Sequence, residues 1–275
     1  MDADSERFTT DGLNGVHLRV LHWGAATRAD NEEPARKLIL LHGGGANATW
    51  WCHLAPSLAE RFHVLALDFR GHGESDYPDD LVVGAFNDDL EGLLEHLGTR
   101  EVALVGHSMG GHVALDHASR HESTQALALL DISRGAARRS RRAARLALAL
   151  RRTYGTREEA IRRFRFVPEA RYASEDLRAS IAASSLRRDA EGRVGYAFDP
   201  RWFSMPSRPR PELASVRCRT LLLRGSESAL LTRDGAAEIA GELPNAVVHE
   251  IPDAGHHVQI DQPGRVLAAL ASFLG

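Results

Sequence analysis

Two cysteines in 275 residues, Cys52 and Cys218, stand far apart in the chain. Thiols so placed build neither a disulfide framework nor a metal-spaced pair, and they read as buried or free in a reducing compartment. Lysine is almost missing: Lys37 is the only one, and arginine supplies the other basic residues. No apolar run approaches the roughly 20 residues that cross a bilayer. The first twelve residues, MDADSERFTTDG, are acidic and polar and do not read as a secretory leader. Charge of one sign is lacking too. A formal net charge of −3 leaves no overall footprint for nucleic acid or an anionic membrane. These absences together predict a cytoplasmic protein that meets a small molecule rather than nucleic acid or membrane.

What is present is ordinary for a globular enzyme, with 43% apolar and 26% charged residues. The length suits one large α/β domain with an insertion better than two independent domains. Short β-rich runs are predicted at 16–22, 37–41, 63–67, 102–105, 126–130, 220–223 and 247–251. Between them, 50–61, 86–97, 112–119, 234–243 and 263–274 carry helical periodicity. Such alternation predicts a mostly parallel sheet with helices on both faces. Ligands of such sheets bind at the carboxyl ends of the strands. Every chemical motif below follows directly on a strand.

The most informative stretch is Val102 to Ser119. An apolar run enters Gly106-His107-Ser108-Met109-Gly110-Gly111, and an amphipathic helix pattern leaves it. This is a G-x-S-x-G elbow in its required setting of strand, sharp turn and helix. A serine at such an apex is strained, and glycines remove the Cβ atoms that would collide with the flanking elements. The Ser108 hydroxyl is then exposed at the positive end of a helix, with the Met109 amide aimed at a developing oxyanion.

A glycine-rich turn, His42-Gly43-Gly44-Gly45, follows an earlier strand and offers the Gly44 amide as a second oxyanion donor. His42 reads as a hydrogen-bonder within that turn. The base is expected late in the chain, where Asp253-Ala254-Gly255-His256-His257 follows the last strand. His256 is the candidate, with His257 facing elsewhere. His107, His112, His117 and His121 surround the elbow but are expected to point away from the hydroxyl. The orienting acid has two possible loops. One reads Leu130-Asp131-Ile132, and the other reads Gly225-Ser226-Glu227-Ser228 where a carboxylate at 228 is expected. Asp131 is therefore assigned as the acid and Ser228 as a hydroxyl supporting it. Glu227 remains the alternative.

From 133 to 211 the alternation stops. The segment is helical and densely basic, from Arg134-Gly135 through Arg152, and ends in the Pro- and aromatic-rich 199–211. It reads as a helical cap inserted into a core formed by 1–132 and 212–275, without any convincing strand. Its arginines read first as solvated helix faces. An electrostatic lure for an anionic ligand is the sharper alternative. Trp50, Trp51, Phe164, Phe166, Trp202 and Phe203 are candidates to line an apolar pocket.

HGGG at 42–45, DFRGHGESD at 68–76, GHSMGG at 106–111, LLLRG at 221–225 and AGHHV at 254–258 occur in this order. In these motifs the chain resembles the α/β-hydrolase superfamily over nearly its whole length. It looks especially similar to bacterial serine esterases that carry Asp after the strand following the elbow and Ser where others put a later Asp. The resemblance implies that Asp131 and Ser228 act with Ser108 and His256, and that 68–76 is a structural loop. It implies a serine hydrolase acting on a small, largely apolar carboxylic ester, lactone or thioester, with no cofactor and no metal. Other classes remain open. The same Ser and His suit cofactor-free carbon–carbon hydrolase, lyase or oxygenase chemistry, and the fold also serves ligand receptors. An Asp-nucleophile mechanism is disfavoured because position 108 is serine.

Overall fold

The apolar runs do pair into one sheet. A computed structural model describes residues 3–10, 15–24, 36–99, 101–136, 138–150, 152–206 and 208–275. Parts of the acidic N-terminal stretch (1–2, 11–12) and of the arginine run (137, 151) lie outside the described residues. The first half supplies β1 (Asp4–Thr10), β2 (Val16–Trp23), β3 (Lys37–Leu41), α1 (Ala55–Leu58), β4 (His63–Leu67), α2 (Ala85–His96), β5 (Val102–His107), α3 (Met109–Arg120) and β6 (Thr124–Leu130). Then come α4 (Arg138–Ala149), β7 (Thr153–Tyr154), α5 (Arg157–Arg163), α6 (Glu175–Ser184), β8 (Leu186–Arg188) and β9 (Val194–Tyr196). The chain closes with β10 (Arg219–Gly225), α7 (Arg233–Glu242), β11 (Ala246–Ile251), α8 (Val258–Asp261) and α9 (Pro263–Leu274).

Eight strands lie in the order β1-β2-β4-β3-β5-β6-β10-β11. β1 and β2 are antiparallel, as are β2 and β4, and the remaining pairs are parallel. Alternation along each strand divides the core between the two faces. Ile39, Leu41, Leu65, Leu67, Leu104, Leu127 and Leu129 pack on one side; Leu38, Leu40, Val64, Ala66, Val105, Ala128 and Leu130 pack on the other. The register aligns the functional ends: Leu41 opposes Gly106, His107 opposes Leu130, and Leu130 opposes Leu223. The loops after β3, β5, β6 and β10 therefore open side by side on one edge.

Three expectations change. β1 falls within the polar N-terminal stretch, where Phe8 is the buried contact that secures an edge strand. The helix expected over 50–61 is instead a 3₁₀ turn (Ala48–Trp51) followed by the single turn α1. Asn47 caps the turn by accepting from the Thr49 amide, and Pro56 lies in the first turn of α1, where its missing N–H costs nothing. The stretch between β6 and β10, read as strand-free, holds a three-stranded antiparallel sheet in the order β7-β9-β8. Strands of two and three residues carry no detectable period. In the same stretch Thr156 accepts from the Glu159 amide at 3.1 Å to start α5, and Ser174 likewise starts α6. Phe166, Ala170 and Ile181 pack on Trp50, Ala46 and Ile260, so this stretch rests on the edge where the loops open.

Candidate active site

Three non-glycine residues have positive φ among the described residues: Ser108 at 50°, Asp131 at 47° and Asp253 at 52°. Each follows directly or closely on a strand of the open edge, β5, β6 and β11. Conformations of this kind cost on the order of 1–3 kcal/mol each and persist where the surroundings fix them. At Ser108 the fixing is visible. Its amide donates to Leu130 O at 3.0 Å, and its carbonyl accepts from the His112 amide at 3.1 Å. A Cβ on Gly106 would lie 2.5 Å from the Gly111 Cα, and one on Gly110 would lie 2.4 Å from Leu41 O. The elbow glycines are thus required by the close approach of strand and helix.

Asp131 is fully buried, and its amide donates to Leu223 O at 2.8 Å. Its Oδ2 accepts from the Gly225 amide at 2.9 Å, and its Oδ1 accepts from the Ser228 hydroxyl at 2.6 Å. The same Oδ1 lies 2.8 Å from His256 Nδ1. Ser228 is itself saturated, since its Oγ accepts from the Leu230 and Leu231 amides at 3.2 and 3.1 Å. Glu227 turns to the surface, where it accepts from the Tyr172 hydroxyl and pairs with Arg171 at 3.8 Å. Gly225 has a part the sequence did not signal. A Cβ there would lie 2.1 Å from Gly255 O, so only glycine admits the loop that brings His256 in.

Four imidazoles border one cavity of about 900 Å³ together with Ser108: His107, His112, His256 and His257. His107 and His112, expected to point away from the hydroxyl, and His257, expected to face elsewhere, all border the cavity, while His112 Nε2 lies 3.3 Å from Ser133 Oγ and the His257 ring packs on Trp50 and Phe166. Burial pushes His112 down to about 4 and His257 down to about 3, and it holds His107 far below the ordinary range. His107 Nε2 donates to the His256 carbonyl at 3.0 Å, which fixes its tautomer and props the loop. His256 alone among the four has a carboxylate on its ring. His42 donates from Nδ1 to Gly43 O at 2.8 Å and accepts from the Phe69 amide at 3.2 Å. Burial keeps it neutral, down to about 4. Asp68, in the 68–76 loop, accepts from the Ala48 and Glu74 amides at 2.6 and 2.9 Å and anchors this corner.

Gly43, Gly44, Met109 and Trp50 border the cavity from the core, and Leu146, Leu148, Phe203 and Met205 border it from the 133–211 stretch. A Cβ on Gly44 would meet the Phe203 ring at 2.7 Å, so the glycine keeps that wall close. Trp202 also borders the cavity. Trp51 is buried in the core instead, while Phe164 and Phe166 pack edge-on against Trp50 behind the wall. The arrangement can present a hydroxyl, an imidazole oriented by a buried carboxylate, and backbone amides to one largely apolar space.

A model of the alpha/beta hydrolase family matches residues 38–270. The chain is 27% identical over 258 residues to the sn-1-specific diacylglycerol lipase ABHD11 of Mus musculus, covering 89% of this chain and 83% of that one. It is 28% identical over 327 residues to epoxide hydrolase A of Mycobacterium tuberculosis, covering 100% of this chain and 98% of that one. Among solved structures, E-2-(acetamidomethylene)succinate hydrolase superposes with a TM-score of 0.82 at 22% identity, over 99% of both chains.

Proposed function

The chain belongs to the alpha/beta hydrolase family, and we propose that it is a serine hydrolase cleaving a small, largely apolar carboxylic ester, lactone or thioester. The observation that carries this reading is the joint placement of a strained Ser108 and the Asp131-bound His256 on one cavity. With Nδ1 held by Asp131, the other ring nitrogen, Nε2, takes the Ser108 proton as Oγ attacks the acyl carbon. Asp131 stabilises the imidazolium that forms, and Ser228 and Gly225 hold the carboxylate in place. The Gly44 and Met109 amides receive the oxyanion, a contribution worth on the order of 10²–10³ in rate per donor. His256 then returns the proton to the leaving group. Water activated by the same nitrogen attacks the acyl-enzyme and frees Ser108. No step calls on a cofactor. In this reading 133–211 is the cap, and its Leu146, Leu148, Phe203 and Met205 select an apolar acyl or alcohol group.

The test follows p-nitrophenyl acetate and butyrate with burst kinetics, together with covalent labelling by a fluorophosphonate probe. Wild type should turn over and take one label on Ser108. Ser108→Ala should lose both. Labelling elsewhere, or turnover that survives Ser108→Ala, would overturn the reading.

A further inference from the structure

The elbow helix α3 carries a second cluster at its other end. His117 lies in the last turn of α3, and His121, four residues on, caps the helix with its amide on the His117 carbonyl, so the two imidazoles come together at the helix end. Their rings stack with centroids 4.3 Å apart and planes 25° apart. Glu91, from α2, faces both. One and the same oxygen, Oε1, lies 2.8 Å from His117 Nδ1 and 3.0 Å from His121 Nε2. The three donor atoms all lie within 4.8 Å of one another. None of the three residues borders the cavity. His117 and His121 follow Ser108 at roughly 14 and 20 Å along the helix axis, at 1.5 Å per residue.

From this geometry we infer a binding site for a divalent transition-metal ion of the zinc class, held by Glu91, His117 and His121. Two imidazoles and a carboxylate are the donor set that zinc prefers in three-ligand sites. An ion at about 2 Å from each nitrogen takes the place now spanned by the bridging hydrogens, with the carboxylate turning to keep one oxygen on it. His117 is buried, and its Nε2 finds no partner among the described residues. In the ion-bound form Nδ1 offers its lone pair to the metal and Nε2 carries the proton. Glu91 and His121 are each about a quarter exposed, at 26% and 25%, which leaves an entry path and room for water as a fourth ligand. The bound ion would clamp α2 to the helix that positions Ser108.

Metal-stripped full-length protein is titrated with Co²⁺, read by visible ligand-field absorption, and with Zn²⁺, read by calorimetry and thermal unfolding. The expected result is one ion per chain and a raised unfolding temperature. His121→Ala and the nearly isosteric Glu91→Gln should each weaken binding by at least about tenfold while remaining folded by circular dichroism. His256→Ala should bind as wild type does, which separates this site from the cavity imidazoles. The inference is overturned by absence of saturable binding, by binding that both ligand variants retain, or by binding lost in His256→Ala. In those cases the two imidazoles and Glu91 hold one another by hydrogen bonds and hold no ion.

Discussion

The loops after β6 and after β10 lie side by side, joined in register at Leu130 and Leu223, and each carries a carboxylate. After β6 the chain turns through positive φ at once, and Asp131 points inward with no exposure. After β10 it runs on to Glu227, whose side chain lies at the surface with Tyr172 and Arg171. The inward position on that loop, 228, carries a hydroxyl that donates to the neighbour's carboxylate. One acid thus sits at the crossing of both loops, with oxygen acceptors filled by Gly225, Ser228 and His256. The lesson is that a buried carboxylate beside an imidazole is chosen by backbone turn and by donors, not by the presence of an acidic residue in the expected loop. A second carboxylate at 228 would face the first with no cation between them.

The comparison breaks most directly at Asp131. Asp131→Asn keeps the shape but presents Nδ1 of His256 with an amide, so the imidazole loses its tautomer and its counter-charge. We expect kcat/KM for p-nitrophenyl butyrate to fall by roughly 10⁴-fold. A fall below tenfold would mean that His256 is oriented by something else.

Acid tests a wider set of buried groups, most of them imidazoles. Burial pushes His42 and His112 down to about 4, and His72 and His257 down to about 3. Unfolding returns them to about 6.5, so between these values the unfolded chain holds more protons. Their contribution to stability is complete above about pH 6.5 and is lost as the pH falls toward 4 and 3. Asp89 runs the other way. Burial raises it to about 6 despite Arg70, so it gains stability as the pH falls through 6. At pH 5 each imidazole costs on the order of 2 kcal/mol and Asp89 returns about 1 kcal/mol. Unfolding free energies from urea titrations should therefore be several kcal/mol larger at pH 7 than at pH 5, with the midpoint shifted to higher urea at pH 7. Equal midpoints would show that these rings are not held neutral.

The same two loops also show what a sequence can and cannot reveal. Residues 38–41, 64–67 and 126–130 are legible because a strand buried on both faces is apolar throughout. The elbow is legible because its glycines answer backbone collisions that no other residue survives. Asp131, Ser228 and His256 are legible as candidates from their places after strands, yet their meeting depends on the Gly225 approach and on strand register. Neither leaves a local pattern. β1 is obscured because an edge strand needs little apolar surface, and β7, β8 and β9 because two or three residues show no period.

A smaller perturbation lies on the hydroxyl shared by both loops. Ser228→Ala removes the donor to Asp131 Oδ1 and strips the acceptor from the Leu230 and Leu231 amides. Asp131 keeps Gly225 and His256, so chemistry should weaken far less than in Asp131→Asn, by about tenfold. Stability should fall by about 1–3 kcal/mol, the cost of leaving buried groups unpaired. Chemical denaturation beside steady-state kinetics measures both. Activity lost as completely as in Asp131→Asn would make Ser228 an equal partner and not a support.

The smallest effect is expected at the other carboxylate. Glu227→Gln removes the charge of a surface group paired loosely with the exposed Arg171, a pairing worth at most about 1 kcal/mol. We expect kcat/KM to change by less than about twofold, because surface substitutions of this kind seldom move a structure by more than about 0.5 kcal/mol. The change should register on Tyr172 instead. Its hydroxyl donates to Glu227, and that bond together with the nearby negative charge raises its pKa above the usual tyrosine value. Glu227→Gln removes the charge, so Tyr172 should ionise at lower pH in an ultraviolet titration. A Tyr172 shift with unchanged catalysis leaves Asp131 as the acid. If instead kcat/KM collapses while the Tyr172 titration stays still, Glu227 acts on His256 and the contrast between the two loops is reversed.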